Sequence, residues 1–364
     1  SKEEFNEKVC LIKNYNKWIC EKRFDKSTPI RVILDFILSE SILNNVSDIH
    51  FDCFENDNFI IRFKIKTILS IKCYLSKDQY KSILICLKVL SKIDSSKNYL
   101  PQTASFCKIF KNNIVDFRLS THPSIYHERC VVRVLQKKNV ISIDELNLEK
   151  EVKNIVNKII LEPSGFVVIS GPTNSGKTTF VHSILKELSQ NNLNIMTLED
   201  PVEYKMNNVI QTNVNESFTF VDGLKSILRQ DPDIVFIGEV RDKETAQLAI
   251  QASLAGRKVF ITLHSYSIKS AICRLIDFGI SYQMLSECLV SIFSLRLFRE
   301  IKNNEYSNLR LLVDGFLMND EIKSILSSSK IPDIDNSLKK IAKSYIEKNI
   351  TSKEEMERVL GFLE

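Results

Sequence analysis

The feature that most constrains the fold of this chain is one loop, Gly171-Pro172-Thr173-Asn174-Ser175-Gly176-Lys177-Thr178. It follows the apolar run Phe166–Ile169 and opens a segment with helical spacing of apolar residues, Lys177–Gln190. A G-x-x-x-x-G-K-T loop between a strand and a helix is the Walker A pattern of P-loop proteins. Its glycines let backbone amides face phosphate oxygens, and the helix N-terminus adds positive partial charge. The loop therefore predicts a nucleoside-triphosphatase core that binds ATP.

The side chains of this loop have separate predicted roles. Lys177 is expected to meet the β- and γ-phosphates, and the hydroxyl of Thr178 is expected to ligate Mg²⁺. The full set of predicted nucleotide-binding residues is Gly171, Pro172, Thr173, Asn174, Ser175, Gly176, Lys177, Thr178 and Thr179. A glycine-rich turn without a ligand is the alternative.

Three polar residues stand where apolar, strand-like runs end: Glu239, Glu199 and His264. Glu239 is predicted to hold Mg²⁺ or to orient water, as carboxylates at the ends of Walker B strands do. Glu199 precedes Asp200-Pro201, so it is either a residue that polarises the attacking water or part of an ordinary Asp-Pro turn. His264 is a candidate γ-phosphate sensor, or a histidine held by structural hydrogen bonds. Which glutamate is the general base stays open.

The hydrophobic pattern of the chain changes after about residue 138. Before that point, alternating runs and helical segments predict a small α+β domain, with Gln136–Asn139 as a linker. From Ile143 onward, strands alternate with helices, which predicts a largely parallel sheet covered on both faces. Beyond Ile268 the tail is expected to be rich in helix, with Leu309–Phe316 as a possible edge strand.

Composition limits the function classes. With 50 basic and 45 acidic residues the net charge is +5 and no block of like charge stands out, so a nucleic-acid partner is not indicated. The nine cysteines are widely spaced without a C-x-x-C pair, which favours reduced thiols and no zinc. The first twenty residues lack the apolar segment of a signal peptide, and no apolar run reaches the roughly 20 residues of a membrane span. A cytoplasmic protein with at most a peripheral membrane role is expected.

These motifs, taken in order with Leu228–Asp233 and Gly238–Ala246, resemble the secretion ATPases of type II secretion and type IV pilus systems. Within that family the chain looks most like the competence-pilus assembly ATPases of Gram-positive bacteria. The resemblance continues in the N-terminal part through Ser47–His50, Ile61–Ile65 and Asp116–Pro123. It implies an α/β protein with a PAS-like N-terminal α+β domain at residues 1–138. A RecA-like P-loop domain with a helical C-terminal extension is expected at residues 139–364.

The resemblance assigns three further motifs: the Asp box at Thr197–Glu203, the Walker B segment at Gly238–Asp242 and the His box at Ala255–His264. Family members are hexameric rings in which arginines of the N-terminal domain reach the nucleotide. By that similarity Arg118 and Arg133 are candidate γ-phosphate contacts, and Arg241 and Arg229 are weaker candidates. Arginines exposed at strand ends without a role in the site are the alternative.

The chain also departs from the family pattern. Lys66-Thr67 and Thr103-Ala104 stand where the family usually has Asp-Gly, which puts the hairpin turns in doubt. Gly256-Arg257 replaces Gly-His, and Asn174 replaces a glycine of the P-loop. No four-cysteine zinc loop follows Leu295–Arg299, which fits a short competence or retraction type.

The expected function is therefore a hexameric ATPase motor that works on an inner-membrane platform protein to assemble a competence or type IV pilus or a type II secretion pseudopilus. Three alternatives remain. The first is a retraction motor of the same family, and the second is a RecA-like nucleic-acid motor, which would carry a basic, aromatic-bearing groove. The third is a ring subunit that binds ATP without hydrolysing it.

Overall fold

The structure is a computed structural model. It describes residues 24–363 apart from 26, 55–57, 98, 112, 136–139, 304 and 334–336. The chain divides into two compact units at residues 137/138. The predicted linker at 136–139 and the first twenty residues, on which the signal-peptide argument rests, lie outside the described residues.

The N-terminal unit consists of α1 (Ile30–Leu43), β1 (Asp48–Phe54), β2 (Asn58–Ile65), β3 (Ile68–Leu75), α2 (Lys77–Leu90), β4 (Gln102–Phe110), β5 (Asn113–His122) and β6 (Arg129–Leu135). The strands form one antiparallel sheet in the order β3-β2-β1-β6-β5-β4. Both helices share one apolar core with the sheet. Side chains of β5 alternate strictly, since Val115, Phe117 and Leu119 are buried whereas Arg118 is exposed. The face of β5 that points away from this core therefore carries mostly polar residues.

The β2–β3 hairpin closes without the family's glycine. Lys66 and Thr67 form its two-residue turn, with φ of 46° and 71°, and Ile65 pairs with Ile68. Two positive φ angles are what a type I′ turn requires. Thr103-Ala104, the second site of departure, lies inside β4 and makes no turn.

The C-terminal unit contains α3 (Lys150–Leu161), β7 (Gly165–Ser170), α4 (Lys177–Leu188), β8 (Ile195–Glu199), β9 (Ile210–Asn213), α5 (Phe220–Ile227), β10 (Ile234–Ile237), α6 (Lys243–Leu254), β11 (Lys258–Leu263), α7 (Ile268–Asp277), α8 (Tyr282–Cys288), β12 (Leu289–Lys302), β13 (Glu305–Leu317), α9 (Asp320–Ser327), α10 (Ser337–Glu347) and α11 (Lys353–Leu360). Its sheet has the order β13-β12-β7-β11-β10-β8-β9 and is parallel except for β13. Helices α3 and α4 cover one face and α5 to α8 cover the other. The sequence-based expectation of a sheet covered on both sides is confirmed.

The prediction of a helix-rich tail is wrong for Leu289–Lys302 and for the part of Glu305–Leu317 outside the predicted edge strand. These residues form the long β12–β13 hairpin, and β12 lies beside β7 inside the sheet. Residues Ser291–Arg296 are all buried, so the strand has no alternation of apolar and polar side chains. A strand buried on both faces cannot be told from a buried helix by periodicity. The edge strand expected at Leu309–Phe316 is confirmed as part of β13.

The last two helices pack against this hairpin. Apolar residues of α10 and α11, such as Tyr345 and Met356, share a small core with Phe298 and Leu312. Within the described part of the chain, no helix has the length and apolar character needed to cross a membrane.

Candidate active site

Four segments with predicted roles meet at the carboxyl edge of the C-terminal sheet. Strands β7, β11, β10 and β8 are parallel neighbours in that order, so their carboxyl ends lie side by side. The P-loop follows β7, His264 follows β11, Glu239 follows β10, and Glu199 is the last residue of β8. Ligands of open α/β sheets bind at this edge.

The P-loop takes the conformation that its residue types allow. Asn174 has φ of 61°, and asparagine is among the residues that enter the left-handed region most readily after glycine. This explains how Asn174 replaces the family's glycine. At Gly171 a Cβ atom would lie 2.7 Å from the carbonyl oxygen of Leu295, so β12 passes too close for a side chain.

The side chain of Lys177 turns back into the P-loop. Its Nζ donates hydrogen bonds to the carbonyl oxygens of Gly171 (2.8 Å) and Pro172 (2.9 Å), and only 8% of the residue is exposed. Burial lowers the pKa of Lys177 to about 8; the charge of Glu239 opposes this shift and that of Arg296 adds to it. The Lys177 ammonium group is therefore buried against two neutral carbonyl oxygens. A negatively charged partner would stabilise its charged form better.

Glu239 is engaged at both carboxylate oxygens. Oε2 accepts a hydrogen bond from Arg241 (2.6 Å), and Oε1 lies 2.9 Å from Nε2 of His264. Burial alone would raise the pKa of Glu239, but the Arg241 hydrogen bond and the nearby positive charges lower it. Burial and Lys177 lower the pKa of His264, although Glu239 opposes them. The site thus contains an ionised carboxylate and a histidine whose neutral form is favoured.

Glu199 is the last residue of β8 and is only 2% exposed. Its Oε1 accepts hydrogen bonds from Thr197 Oγ1 (2.8 Å) and Gln211 Nε2 (3.1 Å). Its Oε2 lies 3.2 Å from Nε2 of His182, which extends from α4. The Glu199 carboxylate is therefore buried in a polar network directly before the bend at Asp200-Pro201.

Two residues of this region carried no role in the sequence analysis. Arg296 of β12 is 6% exposed and donates to the carbonyl oxygens of Leu295 (2.8 Å) and Tyr266 (2.7 Å). Within the described residues it makes no ion pair with a carboxylate, and burial lowers its pKa. His182 is fully buried on α4. The segment of Arg296, Leu295–Arg299, entered the sequence analysis only through the absent zinc loop, and His182 became apparent only through its contact with the distant Glu199.

The predicted arginines fall into separate groups. Arg118 and Arg133 lie directly opposite each other on β5 and β6 of the N-terminal unit, and both are exposed. Nε of Arg133 donates to Oδ1 of the buried Asp48 (2.9 Å), which holds its side chain. Arg241 joins the P-loop group through Glu239, whereas Arg229 is exposed beyond the end of α5.

The P-loop group fits a magnesium nucleotide. Backbone amides and Lys177 suit phosphate, and the buried hydroxyl of Ser175 has no hydrogen-bond partner within the described residues. Mg²⁺ is usually held by one or two side-chain oxygens together with waters and phosphate oxygens. Thr178 and Glu239 offer such oxygens, although the described residues contain no group of three or more metal-binding side chains.

Known proteins resemble this chain along most of its length. The sequence model of a family described as "Type II/IV secretion system protein" matches residues 23–338. Type II secretion system protein E of Aeromonas hydrophila is 40% identical over 281 residues, which cover 76% of this chain and 56% of that protein. The protein transport protein HofB homolog of Haemophilus influenzae is 34% identical over 343 residues, or 92% of this chain and 74% of that protein. The chain thus spans little more than half of the Aeromonas relative.

The fold is also found among solved structures. The ATPase DotB of Legionella pneumophila matches with a TM-score of 0.74 at 19% sequence identity, covering 93% of this chain and 98% of that one. At this identity the likeness concerns architecture: a mixed α/β protein with two sheets, like the RecA-like secretion ATPases.

Proposed function

Because this chain belongs to the type II/IV secretion system protein family, we propose that it is a magnesium-dependent ATPase that drives assembly of a pilus or pseudopilus. The observation that carries the proposal is the meeting of Lys177, Glu239 and His264 at one sheet edge. A phosphate loop and an ionised carboxylate are parts that phosphoryl transfer to water uses, and the histidine beside them can contact the γ-phosphate.

The P-loop residues bind the nucleotide. Lys177 exchanges its two loop carbonyls for β- and γ-phosphate oxygens, which form stronger, charge-assisted hydrogen bonds. Thr178 and Glu239 are the residues that would hold Mg²⁺. When bound, the ion supplies positive charge that stabilises the transition state.

The strand-end residues act on the attacking water and on the γ-phosphate. Glu239 is the more open of the two glutamates, and its charge acts on Lys177. Glu199 is buried against His182 of α4, and both glutamates contribute to orienting or deprotonating water. His264, held by Glu239, contacts the γ-phosphate, and Arg241 stabilises the same carboxylate. Most of the catalysis is positioning and electrostatic stabilisation.

The active assembly is a homo-hexamer. Arg118 and Arg133 of an N-terminal unit, which we infer to be PAS-like, neutralise charge on the transferring phosphoryl group of an adjacent copy. Opening and closing of the ring moves an inner-membrane platform protein, which would place the motor at the inner face of the membrane. Of the candidate machines, the competence-type pilus is the one that the sequence motifs favour.

The first test is phosphate release by the purified chain with MgATP, with EDTA, and with single-stranded DNA. We expect turnover that requires Mg²⁺ and does not respond to DNA. Stimulation by DNA would support a nucleic-acid motor, and tight nucleotide binding without turnover would support a structural ring subunit. In the host, deletion of the gene should abolish pili or secretion; an excess of pili would instead identify a retraction motor.

A further inference from the structure

The inner side of Glu199 faces a histidine that the proposed chemistry has not used. Nε2 of His182 lies 3.2 Å from Oε2 of Glu199, and the two residues are 0% and 2% exposed. The other ring nitrogen of His182, Nδ1, lies 2.8 Å from the carbonyl oxygen of Thr178 in the first turn of α4. His182 therefore bridges the P-loop helix and the end of β8.

The donors and acceptors of this bridge are constrained by chemistry. The Thr178 carbonyl can only accept a hydrogen bond, so Nδ1 of His182 carries a proton. Nε2 then faces a carboxylate oxygen, and the contact is favourable when a proton lies between them. In the structure the two atoms are close but not aligned as a hydrogen bond, and neither has another partner among the described residues. Buried polar atoms of this kind are rare and call for an explanation.

Packing fixes the ring in this place. The imidazole lies 5.2 Å from the ring of Tyr204 and meets Phe236 edge-on at 5.6 Å. The Tyr204 hydroxyl is in turn 2.8 Å from Oγ1 of Thr179, so the same helical turn is held at a second point. Because these neighbours are themselves buried, His182 has little freedom to turn away from Glu199.

We propose that His182 is a positioning residue that fixes the Glu199 carboxylate relative to the P-loop helix. The inference rests on the proposed ATPase function, in which Glu199 acts on the attacking water. The bridge joins Glu199 to the backbone of Thr178, whose own hydroxyl is the proposed magnesium ligand. Any shift of this turn on nucleotide binding is passed to the carboxylate through one rigid ring. An error of about 1 Å in such placement costs on the order of 100-fold in rate.

The test compares single-site variants of the full chain by kcat, KM for ATP and nucleotide affinity. His182→Phe keeps a ring between Tyr204 and Phe236 but removes both nitrogens. We expect it to lower kcat at least about tenfold while KM and nucleotide affinity stay within about twofold. His182→Gln, whose amide reaches the place of Nε2, should recover part of kcat. Ser183→Ala is the matched control, because it removes a hydrogen bond to Thr179 from the same helix without touching Glu199.

A double-mutant cycle with Glu199→Gln separates an effect of His182 on the position of Glu199 from a general disturbance of the structure. If His182 acts through Glu199, His182→Phe should cost little further turnover once Glu199→Gln is present. The inference is overturned if the cost is equal in both backgrounds, if His182→Phe leaves kcat unchanged, or if nucleotide affinity falls together with kcat.

Should His182→Phe fail to fold, as judged by thermal unfolding, His182→Gln and His182→Asn carry the comparison. Asparagine can restore only the contact to Thr178, so it must lose more turnover than glutamine; equal losses overturn the inference. If the unmodified chain hydrolyses ATP and the His182→Gln and His182→Asn variants lose turnover equally, only the inference fails. If the unmodified chain does not hydrolyse ATP, the proposed function fails, and the inference fails with it.

Discussion

Lys177 donates a hydrogen bond from Nζ to the carbonyl oxygen of Gly171, 2.8 Å away, within the loop that is proposed to hold phosphate. Nζ donates a second hydrogen bond to the carbonyl oxygen of Pro172 in the same loop. Both must break when phosphate oxygens arrive. The exchange is favourable because a hydrogen bond between charged partners is stronger than one to a neutral carbonyl.

The first prediction concerns this exchange. Lys177→Ala should weaken MgATP binding by at least about 2 kcal/mol, or roughly thirtyfold in Kd, because a charge-assisted contact to phosphate is lost. Folding should not suffer, since burial disfavours the charged form of Lys177 in the empty loop. Titration with a fluorescent ATP analogue and thermal unfolding measure the two effects. Lys225→Ala, at an exposed ion pair on α5, is the control and should bind normally; unchanged affinity of Lys177→Ala would refute the P-loop assignment.

The second prediction concerns Glu239. Glu239→Gln keeps the size of the side chain but removes its charge, so turnover should fall on the order of 100-fold or more. Nucleotide binding should be retained, because a negative group near the phosphates disappears. Phosphate release and equilibrium binding, measured on the same preparation, check both statements. Glu244→Gln on α6 removes an exposed carboxylate of the same type and should leave turnover intact; normal turnover in Glu239→Gln would exclude its role.

Much of the candidate site could be predicted because it follows the strand order. Apolar runs that end in a glycine-rich loop or a polar residue mark the carboxyl ends of parallel strands, and β10 and β11 end shortly before Glu239 and His264, as predicted. Parallel neighbours then bring Glu199, Glu239 and His264 to one edge. Local pattern and topology therefore point to the same edge, so the meeting of these side chains could be predicted, whereas their roles stay a prediction.

The rest depends on contacts between residues far apart in the chain. His182 contacts Glu199 only after α4 has packed on the sheet. Arg296 contacts Tyr266 only after β12 has joined the sheet. The buried run of β12 lacked any period that could identify a strand. Strand β3 is also hard to recognise from the sequence, since most of its first half is exposed and its side chains do not alternate clearly between buried and exposed.

The third prediction concerns Arg118, which lies in the other unit, is exposed and makes no ion pair with the described residues. If it neutralises charge on the phosphoryl group, Arg118→Ala should lower turnover by about 10³-fold and leave ATP binding nearly unchanged. Arg31→Ala, an exposed arginine of α1, is the control.

Mixing shows whether Arg118 acts on a neighbouring copy. Arg118→Ala and Glu239→Gln proteins, each inactive, should regain turnover together, because some interfaces then combine an intact arginine with an intact glutamate. No recovery in rings confirmed to be mixed would contradict action between copies.

The fourth prediction concerns Glu355 of α11, which accepts hydrogen bonds from Arg299 of β12. It is 1% exposed and accepts hydrogen bonds from the backbone and guanidinium of Arg299 and from Arg358. Burial alone would raise the pKa of Glu355, but these hydrogen bonds lower it to about 2 from 4.5. A carboxyl whose folded pKa is depressed stabilises the fold fully above its unfolded pKa. That stability is lost as the pH falls from 4.5 towards 2.

Glu355→Gln should therefore lower the free energy of unfolding by about 3 kcal/mol at pH 7, because the partly buried Arg299 and the exposed Arg358 lose the buried carboxylate that they share. The difference from the unmodified chain should shrink at pH 3, where part of the stabilisation is already gone, and vanish below pH 2. Urea unfolding of both proteins at each pH measures this. Glu354→Gln changes the exposed neighbour on the same helix and should leave stability near that of the unmodified chain. A destabilisation that is the same at every pH would mean that lost packing, and not the charge of Glu355, is responsible.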